Sequence, residues 1–176
     1  MAKDKVLIIR SFEYDHFDLA VAFTNVAERM FGRDPFVGTK DRIWLPKNPV
    51  AFLNVKVDVN QEVKVATGEI EMKGLKGKFN LEESMVQAFV DKSETSRVES
   101  FLNEIGNWLK TRSIYKGKAL TSSRNFMDLS RVDPALLVFN QRVWEELTDN
   151  LWVLIEKTAQ CRQAGLRIRR KVLFQG

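Results

Sequence analysis

The sequence predicts an α+β fold: a small, mainly antiparallel sheet with helices packed on it. Three observations lead there. An apolar run rich in β-branched residues opens the chain at residues 5–11, strict apolar–polar alternation fills residues 52–73, and a helical apolar stripe spans Val98 to Leu109. Composition agrees, since 44% hydrophobic and 29% charged residues describe a globular chain and exclude disordered and collagen-like classes. A length of 176 residues fits about one domain, with room for a second small module.

Taken in order, Lys5 to Ser11 reads as a buried strand. A helix follows from Asp15 to Met30, where Phe17, Ala20, Val21, Phe23, Thr24, Ala27 and Phe31 recur at near-helical spacing. Asp15 suits its N-cap, and Gly32 sits where a C-cap glycine belongs. Residues 31–50 hold three of the 4 prolines and read as a loop, with at most one short strand around Arg42–Leu45. Val55, Val57 and Val59, then Val63 and Val65, then Ile70 and Met72 alternate with polar neighbours, which predicts two or three antiparallel strands with one wet face. Gly74, Gly77 and Asn80 supply the next turn, and Met85 to Val90 reads as another strand. Ser93 to Thr111 is a packing helix, with a single apolar stripe through Val98, Phe101, Leu102, Ile105, Trp108 and Leu109. Lys116 to Leu120 is a short strand, and the polar stretch 121–125 is read as a linker.

Beyond the linker the texture changes. Asp133-Pro134 opens a long helix whose seam runs through Val143, Leu147, Leu151 and Leu154 to about Gln163, with Gly165 as its stop. Residues 171–176 read as a short buried strand ending at glycine.

Single residues exclude whole classes of chemistry. One cysteine, Cys161, rules out an intrachain disulfide framework and a cysteine-rich zinc site. One histidine, His16, rules out paired-histidine metal motifs. His16 lies between Asp15 and Asp18, and two surface carboxylates at a helix start suit capping better than catalysis or metal binding. Glu82-Glu83 and Glu145-Glu146 are adjacent pairs that cannot face one another, so both read as solvated. Arg162 beside Cys161 does not by itself make a nucleophile. Residues 74–79 mix glycine, lysine and phenylalanine, which suits a hairpin turn better than a phosphate loop. No catalytic set and no metal set emerges.

The net charge of +5 is local. Arg162, Arg167, Arg169, Arg170 and Lys171 carry it with no acid among residues 162–176, so the body of the chain is neutral. Basicity alone therefore argues weakly for nucleic acid. No run of 18 apolar residues occurs and the amino terminus lacks a secretory core, which predicts a cytoplasmic, reduced protein with no membrane partner.

The tail carries a resemblance. Phe126-x-Asp128-Leu129, a long helix, Gly165-Leu166, Arg169-Arg170 and then Val172-Leu173-Phe174-Gln175-Gly176 stand in the order seen ahead of the nucleotide site of AAA ATPases. The stretch 124–176 resembles the F-x-D-[VIL] segment, helix, glycine–hydrophobic pair and V-L-[LFY]-x-G strand of that family. Ser130-Arg131 departs from it, since many members have glycine there. Val172 to Gly176 also matches the core of a viral protease site used to remove tags, a second reading of those five residues.

The resemblance implies the leading helices and first strand of an AAA α/β module over residues 126–176, after a linker at 121–125 and a substrate- or adaptor-binding α+β domain over 1–120. It implies that main-chain atoms at Asp128 and Leu129 line an adenine pocket and that Gly176 opens the Walker A loop. ATP and Mg²⁺ are then cofactors of the whole parent protein, a hexameric remodelling or unfolding machine. The P-loop lysine, the Walker B acids and the arginine finger would lie beyond Gly176, so this stretch alone is expected neither to bind ATP nor to hydrolyse it. Two other classes remain open: a stand-alone nucleic-acid-binding protein using the basic tail, and an enzyme built around His16.

Overall fold

The structure, a computed structural model, describes residues 4–39, 50–130, 132–133 and 138–165. Two compact units divide between Asp128 and Leu129. The expected strands near Arg42–Leu45 and at residues 171–176, and the helix opening at Pro134, lie outside the described residues.

The first unit is α+β. Strand β1 (Lys5–Ser11) leads to helix α1 (His16–Phe31) and the two-residue strand β2 (Phe36–Val37). Strands β3 (Ala51–Asp58), β4 (Gln61–Met72), β5 (Gly77–Glu82) and β6 (Met85–Asp91) follow, then a 3₁₀ turn (Lys92–Glu94) and helix α2 (Thr95–Arg112). All pairings are antiparallel, in the order β1-β6-β5-β4-β2, with β3 also on β4. Alternation within β4 to β6 buries one face, as the period of two requires.

Of the two or three strands that the alternation allowed, the structure has two, β3 and β4, and β4 runs unbroken for 12 residues. Gly68, at φ +73°, lets it bend without ending. Residues up to Thr67 pair with β3, and residues from Gly68 onward pair with β5. Just before the bend, the Ala66 amide donates to Thr24 Oγ1 of α1 at 3.1 Å, tying the switch point to the helix.

α1 and α2 cover the inner face. Phe23, Phe79 and Phe101 are fully buried and meet edge-on, with ring centroids 5.2 to 6.1 Å apart, joining α1, β5 and α2. Each such pair contributes about 0.5–1.5 kcal/mol beyond its buried area. Of the expected stripe of α2, Val98, Phe101, Leu102, Ile105 and Leu109 are buried, and Trp108 is half-buried against them.

Several sequence expectations need correcting. Lys5 to Ser11 is not a buried strand, since its residues alternate between exposed and half-buried at a sheet edge. Asp18 is not a surface carboxylate; it is 1% exposed and accepts the Ile114 amide at 3.0 Å, capping the chain as it leaves α2. Gly77 and Asn80 lie inside β5, because the turn between β4 and β5 falls at residues 73–76, where Gly74 takes φ +82°. Lys116 to Leu120 is not a strand: Lys116 and Gly117 end a turn, and within the span Leu120 makes a single bridge, to Phe126.

In the second unit, α3 (Gln141–Leu147) is capped by Asn140, whose Oδ1 accepts from the Val143 amide at 2.9 Å. A π-helical turn (Thr148–Trp152), α4 (Val153–Glu156) and α5 (Thr158–Gln163) continue it, where the sequence suggested one unbroken helix. The break is at Lys157, at φ −100° and ψ 23°. Gly165 stands at φ +71° just past α5, the left-handed stop that glycine permits. Of the expected seam, Leu147 is buried, and Val143, Leu151 and Leu154 are half-buried.

Gly77 is the tightest point of the sheet. A Cβ there would lie 2.4 Å from Val90 Cγ1 and 2.6 Å from the Phe89 carbonyl oxygen. Gly77→Ala is therefore expected to lower unfolding free energy by at least about 1–3 kcal/mol, read as a fall in the urea midpoint at unchanged slope.

Candidate functional site

The site grows from the start of α1. Asp15 adopts an extended backbone, and its Oδ1 accepts from the Phe17 amide at 3.0 Å, the N-cap that the sequence predicts. The same carboxylate receives the Tyr115 hydroxyl at 3.4 Å and the Arg124 guanidinium. Three donors occupy Asp15, so it anchors the site and does not act as a free base.

Both partners come from the segment after α2. Tyr115 stacks on Phe126 with centroids 5.8 Å apart. Residues 121–125, read from sequence as a linker, close on themselves: Thr121 donates its amide to the Asn125 carbonyl at 2.9 Å, and Thr121 Oγ1 accepts the Asn125 amide at 3.1 Å. Arg124 holds φ +61° in that loop, an uncommon conformation for a side-chain-bearing residue. In that conformation its guanidinium pairs with Asp15.

Two clefts share Asp15, Tyr115 and Arg124. The larger, of 810 Å³, is walled by Phe12, Tyr14, His16 and Glu83. The smaller, of 360 Å³, is walled by Phe17, Asn54, Lys56 and Phe126. Both clefts thus combine aromatic faces with polar and charged side chains, the make-up of a small-ligand pocket.

His16 Nδ1 lies 3.1 Å from the Glu83 carbonyl oxygen, which places its proton on Nδ1. Glu83 reaches that position through φ +38° at the turn between β5 and β6. Asp15, His16 and Asp18 thus point to three different partners, and the acid–base or metal grouping that their spacing allows is not assembled. Among the described residues, no cluster of three His, Cys, Asp or Glu side chains is placed to hold a metal ion.

Burial sets the two shifted acids here. Desolvation raises the Asp18 carboxyl, against hydrogen bonds from Ser113 and Ile114 that lower it. Tyr115 is pushed up to about 12, first by burial and then by the Asp15 charge and hydrogen bond.

Asp128 and Leu129 are exposed and follow the Leu120–Phe126 bridge, and Gly176 lies outside the described residues. Asp128 ends the first unit and Leu129 begins the second. Tyr115 and Arg124 were not singled out as site residues from sequence. An isolated tyrosine after a helix and an arginine in a polar stretch carry no periodic signal, and only the fold brings them onto Asp15.

Tyr115 yields a pH prediction. Its folded value lies above the ordinary tyrosine value of about 10, so between pH 10 and about 12 the native chain keeps a proton that the unfolded chain has lost. Stability from this group is therefore present below pH 10 and falls as pH rises through that window. Urea titrations across it are expected to show a decline that Tyr115→Phe makes shallower. Tyr115→Phe is also expected to remove the tyrosinate absorbance step near pH 12.

No protein-family model matches this chain, and comparisons with curated proteins and with solved structures likewise find no match.

Proposed function

We propose that this chain is the recognition region of a cytoplasmic AAA ATPase, with a first unit that binds a protein substrate or adaptor and a second that leads into the ATPase module. The order Phe126-x-Asp128-Leu129, helix, Gly165-Leu166, Arg169-Arg170, Val172 to Gly176 carries the reading. The helical run from Gln141 to Gln163 falls where that order needs a helix. The division between Asp128 and Leu129 falls inside the same motif. The clefts around Asp15 support binding without turnover, because its carboxylate is already held by Phe17, Tyr115 and Arg124. No helix among the described residues is long and apolar enough to cross a membrane, which accords with a cytoplasmic site of action.

In this reading the parent is a hexamer that uses ATP and Mg²⁺. Asp128 and Leu129 contribute backbone to the adenine pocket, and Gly176 begins the phosphate loop. The reading frame beyond Gly176 is expected to continue Pro-Pro-Gly-Thr-Gly-Lys-Thr or close to it. A frame with no such lysine–hydroxyl pair overturns the assignment.

The five cations among residues 162–176, with no acid between them, favour a second reading, a nucleic-acid-binding protein. Five phosphate contacts would make affinity fall steeply with salt, with a log–log slope of about −3.5 to −4.5. A fluorescence-anisotropy titration of the full chain against single- and double-stranded oligonucleotides is expected to give weak binding with a flat slope; a slope in that steep range favours the second reading.

A further inference from the structure

We propose that the free edge of β1 joins a second copy of this chain, antiparallel across a two-fold axis through Ile8, so that two sheets become one. The inference is independent of the AAA reading and rests on the ladder. The pairs flanking β1 are hydrogen-bonded: the Lys92 amide donates to the Asp4 carbonyl at 2.9 Å, and the Phe12 amide to the Ser84 carbonyl at 2.7 Å. Antiparallel ladders alternate, so Val6, Ile8 and Arg10 direct their backbone groups at β6, while Lys5, Leu7, Ile9 and Ser11 direct theirs away from it. Among the described residues β1 pairs with β6 alone.

The same odd-numbered residues put their side chains on the outer face. Leu7 and Ile9 are each 55% exposed, and Phe89, directly across from Leu7, is 48% exposed. An apolar face beside an open edge is the usual template for strand addition.

The occupant follows from self-complementarity. An axis through Ile8 sets Leu7 against the partner's Ile9 and Lys5 against the partner's Ser11. Both are odd–odd pairs, so their outward backbone groups meet as hydrogen-bonded pairs. Ile8 meets the partner's Ile8, and Arg10 meets the partner's Val6. No like charges stand opposite one another. Nor do the cations guard the edge, since each is already engaged within its own chain. Lys5 pairs with Asp91 at 2.8 Å, and Arg10 reaches Glu99 and Asn103 of α2.

Sedimentation equilibrium of the full chain over the micromolar range, joined with cysteine cross-linking, tests the proposal. The chain is expected to dimerise. Leu7→Lys with Ile9→Lys, which sets lysine against lysine across the axis, is expected to weaken the dimer at least about tenfold. Circular dichroism checks that this variant is folded, and Met30→Ser, an exposed apolar change on α1, is expected to leave the dimer intact. In a Cys161→Ser background, Ile8→Cys places two thiols at a non-hydrogen-bonded pair with Cα atoms about 4.5 Å apart, within disulfide reach. Mild oxidation is then expected to cross-link Ile8→Cys faster than the more exposed Leu7→Cys, the reverse of the order that accessibility alone gives. A chain that stays monomeric, a dimer indifferent to the paired lysines, or faster cross-linking at position 7 each overturns the proposal.

Discussion

Three phenylalanine rings, on α1, β5 and α2, determine where everything else in the first unit can be. Phe23, Phe79 and Phe101 come from distant parts of the chain, are fully buried, and meet edge-on. A large planar side chain in a close-packed interior permits few relative positions of the elements that carry it. The two helices are thereby held on one face of the sheet, and the start of α1 is held at its rim. Truncating any of the three would leave a cavity among the other two, which is why such changes commonly cost about 3–5 kcal/mol.

Polar contacts refine what the rings set coarsely. The Asp18 carboxylate takes the Ile114 amide, and Thr24 Oγ1 takes the Ala66 amide, so α1 is registered against both the end of α2 and the bend of β4. A buried carboxylate without such donors would be costly, and the raised Asp18 carboxyl shows that desolvation is only partly offset. Once α1 is placed, Asp15 stands where the chain returns from α2, and Tyr115 and Arg124 close on it. The clefts are thus a consequence of core packing carried outward through one capping residue.

The outer face of the sheet follows from the same geometry. Packing α1 and α2 on the inner face leaves Leu7, Ile9 and Phe89 on the side opposite these two helices, and β1 is paired on one edge only among the described residues. Alternation along β1 is weak because its inner and outer residues are both apolar. Its sequence therefore reads as a buried strand, while its position makes it an exposed one.

Local physical signals made much of the fold legible. The period of two placed the strands, the stripe from Val98 to Leu109 placed α2, and Asp15 and Gly32 marked the ends of α1. Those signals depend on neighbours a few residues away, so the sequence alone carries them. It could not reveal that β4 continues through Gly68, because a glycine bend within a strand and a turn look alike until the partner strand is known. Nor could it show that Asp18 is buried or that Arg124 reaches Asp15, 109 residues away. Such contacts are decided by which faces meet when the core closes. The sequence by itself determined the elements and their apolar faces; the tertiary structure decided which polar residues those faces bring together, because long-range packing leaves no periodic trace.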